Sequence, residues 1–128
     1  MLEHCTLCPR LCGANRNAGE HGFCGADARI RIGLASLHQW EEPCLSGTNG
    51  AGTVFFCHCP LGCVYCQNHD ISGLDADASG ICTDISGLAD TFLSLQQRGA
   101  HNIDLVTPTQ YAAQLTQAIP LARRRGLT

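Results

Sequence analysis

No stretch of this 128-residue sequence approaches the roughly 20 consecutive apolar residues that a membrane span requires. The opening Met1-Leu2-Glu3-His4-Cys5 lacks both a basic n-region and an apolar h-region, so no export is expected and the reading is of a cytoplasmic protein with no membrane partner. Positive charge is also scarce. Eight Lys and Arg against eleven Asp and Glu leave a formal net charge of -3, which offers no broad attraction for nucleic acid or anionic lipid. Charged residues make up only 15% of the chain and hydrophobic ones 45%, which excludes a disordered tail and calls for a packed core. Internal repeats and low-complexity segments are absent, and the length suits one ordinary domain, or one small core with a metal-stapled segment.

What the sequence has in excess is cysteine, ten in all. In a reducing compartment, closely spaced cysteines more often bind metal or do redox chemistry than form structural disulfides. Residues 1–45 form a Cys-rich segment in which Cys5-x2-Cys8-x3-Cys12-x11-Cys24 supplies four thiols, a closed set suited to structural zinc or to an iron-sulfur cluster. Metal-free reduced cysteines are the plain alternative. Cys44 and Cys82 stand alone and read as buried or incidental.

Periodicity places the remaining elements. Ile30, Ile32 and Leu34 alternate with Arg31 and Gly33, predicting a short half-buried strand over Arg29–Ala35. Gly47, Gly50 and Gly52 lead into Thr53-Val54-Phe55-Phe56-Cys57, a predicted buried strand. A phosphate loop is excluded there, because Thr53 stands where the lysine belongs and a strand follows where a helix should start. Asp70 to Asp84 reads as a polar loop. Ile85, Leu88, Ala89, Phe92 and Leu93 form a helical face with Asp84 as N-cap. Ile103–Val106 predicts a second strand, and a second helix is expected from about Gln110 to Arg125. This β-α-β-α order argues for βαβ units and a parallel sheet. Arg123–Arg125 complement the last helix's dipole, and Glu41 and Glu42 read as a solvated pair.

Immediately after the first buried strand, Cys59, Cys63 and Cys66 fall within eight residues on one loop, Cys-Pro-Leu-Gly-Cys-Val-Tyr-Cys. Three thiolates hold three corners of a four-iron cubane and leave one iron open to a small chelating molecule. A structural zinc site that borrows Cys57, His58 or His69 as its fourth ligand remains an alternative. Cys57 shares a side with Cys59 only if the strand runs that far.

The Cys-x3-Cys-x2-Cys spacing, with Tyr65 before the third cysteine, resembles the signature loop of the radical S-adenosylmethionine (SAM) superfamily. Together with Leu37–Gly47, Cys63–Asn68 and Asn102–Thr109, it makes nearly the whole chain similar to an uncharacterised branch related to pyruvate formate-lyase activating enzyme. The resemblance implies a [4Fe-4S] cluster on Cys59, Cys63 and Cys66 whose open iron chelates SAM. It implies reductive cleavage to a 5'-deoxyadenosyl radical, with a glycyl-radical enzyme and an electron donor as partners. It places Tyr65 along the adenine, and Thr107 and Thr109 near the methionine amino group, where Thr107-Pro108-Thr109 replaces the family's usual Gly-Gly-Glu. Cys57-His58 also departs from the small residue and glycine usual there. The fold it implies is α/β, an incomplete partial (β/α) barrel: residues 46–128 would supply its first two β-α units, and the chain would be a fragment that holds a cluster but cleaves SAM poorly. The opposing expectation, drawn from the cysteine count and the short chain, is a non-catalytic zinc or iron-sulfur binding module.

Overall fold

The computed structural model describes residues 1–74, 76 and 79–128. Four strands form one sheet: β1 (Ile30–His38), β2 (Ala51–Phe56), β3 (Ile81–Thr83) and β4 (Ile103–Val106). Their order is β3-β1-β2-β4. Among the described residues the α-helices are two single turns, α1 (Pro43–Ser46) and α2 (His69–Ser72), and two longer elements, α3 (Ile85–Gln97) and α4 (Ala112–Arg124), and 3-10 turns lie over Arg16–Ala18 and Thr109–Tyr111. Among the described residues no helix is long and apolar enough to cross a membrane.

β2 is buried along nearly its whole length: strands flank both of its edges, and Val54 and Phe56 pack into the core under the helices. It pairs in parallel with β4 and antiparallel with β1. The connection from β1 to β2 passes α1 and turns at Gly50, whose φ of 93° and closeness to the His38 carbonyl leave no room for a side chain.

This arrangement overturns the expected partial (β/α) barrel. A barrel of that kind is built from successive parallel strands. Here β2–β4 is the one parallel pair among the described residues; β1 returns onto the other edge of β2 in the opposite direction, and β3 extends the sheet beyond it. Once β1 has taken the backbone donors and acceptors of that edge, no parallel strand can add there. The sheet is open and mixed, within an α/β fold. The Cys-rich segment thus contributes β1 to the sheet.

Register also departs from simple alternation. Ile30 and Ile32 are buried against the helices, but a bulge between Ile32 and Leu34 shifts the pairing so that Leu34 faces Phe55 and is 53% exposed. Ala35 and Leu37 take the inward positions instead. The stretch read as a polar loop from Asp70 to Asp84 includes all of α2 but its first residue, and β3; its residues 75, 77 and 78 lie outside the described residues. β3 gave no periodic signal because, as an edge strand, it buries no face, and Ile81 is largely exposed.

Both long helices lie over the sheet. Asp84 caps α3 by accepting the Gly87 N–H at 2.7 Å. Leu88, Ala89, Phe92 and Leu95 of α3 and Leu115, Ala118 and Ala122 of α4 join Ile30, Ile32, Val54 and Phe56 in one core. Phe56 packs against Tyr111 with centroids 5.5 Å apart. Arg125 ties the helices by donating to Asp90 at 2.7 Å and to Ser86 at 3.0 Å.

At the entrance to β1, the Asp27 carboxylate accepts the backbone N–H and guanidinium of Arg29. Burial works to raise its pKa, but the Arg29 hydrogen bonds and charge outweigh it, and the net shift is downward. Its ionised form therefore stabilises the fold at neutral pH, and this contribution fades as the pH falls through the lowered value. Asp27→Asn should unfold at lower urea concentration than wild type at neutral pH, with the gap closing on acidification. Phe56→Ala should cost about 3–5 kcal/mol in urea unfolding, whereas Leu34→Ala should stay within about 0.5 kcal/mol. A large effect at Leu34 would contradict the bulged register.

Candidate functional site

The parallel strands β2 and β4 end side by side, and the backbone just beyond each is unusual. His58 has φ 68° and Thr107 φ 53°. Left-handed conformations at non-glycine residues cost on the order of 1–3 kcal/mol and persist only where the surroundings hold them. At His58 the holding groups are plain: its N–H donates to the Ile71 carbonyl at 2.6 Å, and the Gln110 side-chain amide donates to the Cys57 and His58 carbonyls at 2.9 and 2.8 Å. The Thr107 hydroxyl donates to the Phe56 carbonyl at 3.3 Å.

From this anchored start the three-cysteine loop runs outward. Cys59 and Cys66 are half-buried and Cys63 is exposed. The Leu61 N–H donates to the Cys59 sulfur, and the Ser72 hydroxyl on α2 donates to the Cys66 sulfur, both at 3.5 Å. Gly62, with φ 70°, makes the turn before Cys63. The loop is held from outside by Arg10, whose guanidinium donates to the Pro60 and Leu61 carbonyls at 3.0 Å each and stacks 3.8 Å from the Phe23 ring centroid.

A cavity of about 410 Å³ opens beside this loop, lined by Cys8, Arg10, Cys59, Leu61, Thr107 and Thr109 among others. Of the residues singled out from sequence, it gathers Cys59, Thr107 and Thr109. Tyr65 is not among them: it lies on the loop tip, 88% exposed. Cys57 is not among them either. β2 ends at Phe56, and the Cys57 sulfur is fully buried against Gly80, so closely that any side chain at Gly80 would collide with it. His58 is fully buried, while His69 is exposed and pairs with Asp70 at 2.8 Å.

The second cysteine set is also brought together. Cys5, Cys8, Cys12 and Cys24 line one enclosure of about 10 Å³, together with Arg16 and Gln110. Hydrogen bonds, led by that from the Ala14 N–H, hold the Cys12 thiol below its ordinary pKa. Burial pushes Cys24 up, against the pull of the Ala26 N–H and the Arg16 charge. Cys44 on α1 and Cys82 on β3 are exposed.

Among the described residues, no three His, Cys, Asp or Glu side chains stand close enough together to hold a metal ion as placed. The donor chemistry of the loop nonetheless suits iron. It offers three thiols, two of them already receiving hydrogen bonds at sulfur, an interaction that tunes cluster thiolates. The neighbouring cavity falls in the range of small-molecule sites.

Sequence reasoning missed Arg10, Ser72, Gln110 and Arg16. Arg10 had one usable signal, its place between Cys8 and Cys12; Ser72 is only six residues from Cys66 but lies in the stretch read as a loop, and the contacts of Gln110 and of Arg16 with Gln110 span long sequence separations that no local pattern announces.

Comparison with protein-family models and with solved structures gives no match. Among curated proteins, the chain is similar to an uncharacterized protein of Methanocaldococcus jannaschii, 40% identical over 75 residues, which cover 56% of this chain and 20% of that protein. The chain thus matches only about a fifth of the length of that relative.

Proposed function

We propose that Cys59, Cys63 and Cys66 ligate a [4Fe-4S] cluster with one open iron, and that the adjoining cavity receives SAM, as in proteins related to pyruvate formate-lyase activating enzyme. The observation that carries this reading is the convergence of Cys59, Thr107 and Thr109 on one cavity at the ends of two parallel strands. When bound, the cluster supplies the electron that cleaves SAM reductively to a 5'-deoxyadenosyl radical, and the substrate class in this reading is a glycyl-radical enzyme. An electron donor and a reducing, cytoplasmic setting belong to the same proposal.

The chain's own part is to bind, orient and exclude water. Thr107 commits its hydroxyl to the Phe56 carbonyl and shapes the wall, which leaves the Thr109 hydroxyl as the polar contact for the amino-acid end of SAM. Pro9, Pro60 and Leu61 supply apolar wall and limit water. Arg10 fixes the carbonyls of Pro60 and Leu61, and with them the direction in which Cys59 presents its sulfur. Tyr65, exposed at the loop tip, would be the residue that lies along the adenine in this reading.

After anaerobic reconstitution, the wild-type chain should hold about four irons at this loop, and SAM should alter the electron paramagnetic resonance spectrum of the reduced cluster. Cys63→Ala should lose that iron. Full iron retention in the variant, or zinc alone in wild type, would sink the assignment. Arg10→Ala should keep its circular dichroism spectrum but release iron to a chelator about tenfold faster or more, as expected for a ligand-orienting contact. An unchanged release rate would remove Arg10 from the site.

A further inference from the structure

The Cys-rich segment contains a charge that the rest of the described structure does not balance. Arg16 is 1% exposed and is the largest fully buried side chain. Its Nε and Nη2 donate to the Asp27 carbonyl at 3.0 and 2.6 Å, and its Nη1 donates to the Gln110 carbonyl at 2.5 Å. Every one of these acceptors is neutral. The Asp27 carboxylate is committed to Arg29, and Glu20, four residues on from Arg16, instead accepts the Asn15 N–H at 2.7 Å. Among the described residues no carboxylate pairs with Arg16. Guanidinium groups in proteins stay charged, and a buried charge without a counter-charge is strongly disfavoured.

Two kinds of group remain: the Tyr111 ring, whose centroid lies 5.8 Å from the guanidinium carbon and whose face attracts the cation without carrying a counter-charge, and the sulfurs. Arg16 Nη1 lies 4.0 Å from the Cys5 sulfur, and its charge acts on Cys24. Protonated thiols would not balance it. Four thiolates around one divalent ion carry a net negative charge of roughly two units, which would. The space they line with Arg16 is about 10 Å³, so a single ion asks for less rearrangement there than a four-iron cubane would.

We infer that Cys5, Cys8, Cys12 and Cys24 bind one divalent metal ion of the zinc type as a closed four-thiolate site, and that the buried guanidinium of Arg16 is its counter-charge. Loading draws the sulfurs in to ligand distance. The ligands release their protons to solvent and no electron is transferred. Arg10 lies between two of the ligands, so the same ion stiffens the arm that holds the Pro60 and Leu61 carbonyls. The site does not depend on iron at the other loop.

The test uses the full chain with Cys59, Cys63 and Cys66 all changed to Ala, which removes the other loop as a source of signal. This variant should retain one zinc per chain, and cobalt(II) in its place should give the intense visible bands of a tetrahedral four-thiolate site. Adding Cys8→Ser and Cys24→Ser should abolish both. Absence of a stoichiometric ion, or a brown iron-sulfur chromophore in the triple variant, would overturn the inference. Arg16→Met should weaken metal binding by about 10- to 100-fold in competition with a chromophoric chelator; equal affinity would overturn the counter-charge. Because that variant can also lose its fold, the Arg16 Nε–H resonance of the wild-type residue is followed as zinc is added. It should shift on loading, and an unmoved resonance would overturn the pairing.

Discussion

Where β2 ends, two backbone carbonyls turn inward, those of Cys57 and His58, and one side chain satisfies both. Gln110 donates to each of them and is almost fully buried in doing so. Buried carbonyls without partners are costly, so the left-handed turn at His58 depends on this amide. The main-chain carbonyl of Gln110 in turn accepts Arg16. One residue at the start of the helical layer therefore joins the end of the central strand to the Cys-rich segment, and the direction in which the three-cysteine loop leaves the sheet follows from it.

That junction explains why the two thiol sets lie side by side although 35 residues separate Cys24 from Cys59. Cys8 lines the cavity beside Cys59 and also the small enclosure of the first set, so the two share a wall. A redox relay through this wall would require a second iron-sulfur cluster. A single ion with no redox chemistry would act by position, through Arg10. The size of the enclosure and the charge of Arg16 favour the second arrangement.

Where one strongly periodic element made its own pattern, the sequence was readable. The Asp84 cap, the Leu88-Ala89-Phe92 face and the strands around Val54 and Leu105 stand as the spacing predicts. Strand direction was not readable. Nothing in Ile30–Leu37 says whether it pairs parallel or antiparallel, and the resemblance supplied the wrong partner arrangement, a barrel where the chain forms an open mixed sheet. A one-residue bulge then exchanged Leu34 for Ala35 and Leu37 on the core side. At the candidate site, the place of Cys59 just beyond a strand end was legible from the residues, whereas Thr107 and Thr109 came with the resemblance alone. Gln110 and Arg16 were not, since each works by binding carbonyls from distant segments, which any donor of the right length could do.

Arg16 also separates sequence logic from structural logic in a way that bears on the metal. Spacing offers Glu20 as an i+4 partner, and on an exposed helix that pair would be ordinary. Here the turn over Arg16–Ala18 is a single 3-10 turn capped by Asn15, and it sends the guanidinium inward while Glu20 stays with the backbone outside. The charge is thereby delivered to the thiols instead of to a carboxylate. The carbonyls of Asp27 and Gln110 and the face of Tyr111 solvate that charge without cancelling it, so a metal bound as proposed at Cys5, Cys8, Cys12 and Cys24 would add the counter-charge that these neutral groups lack.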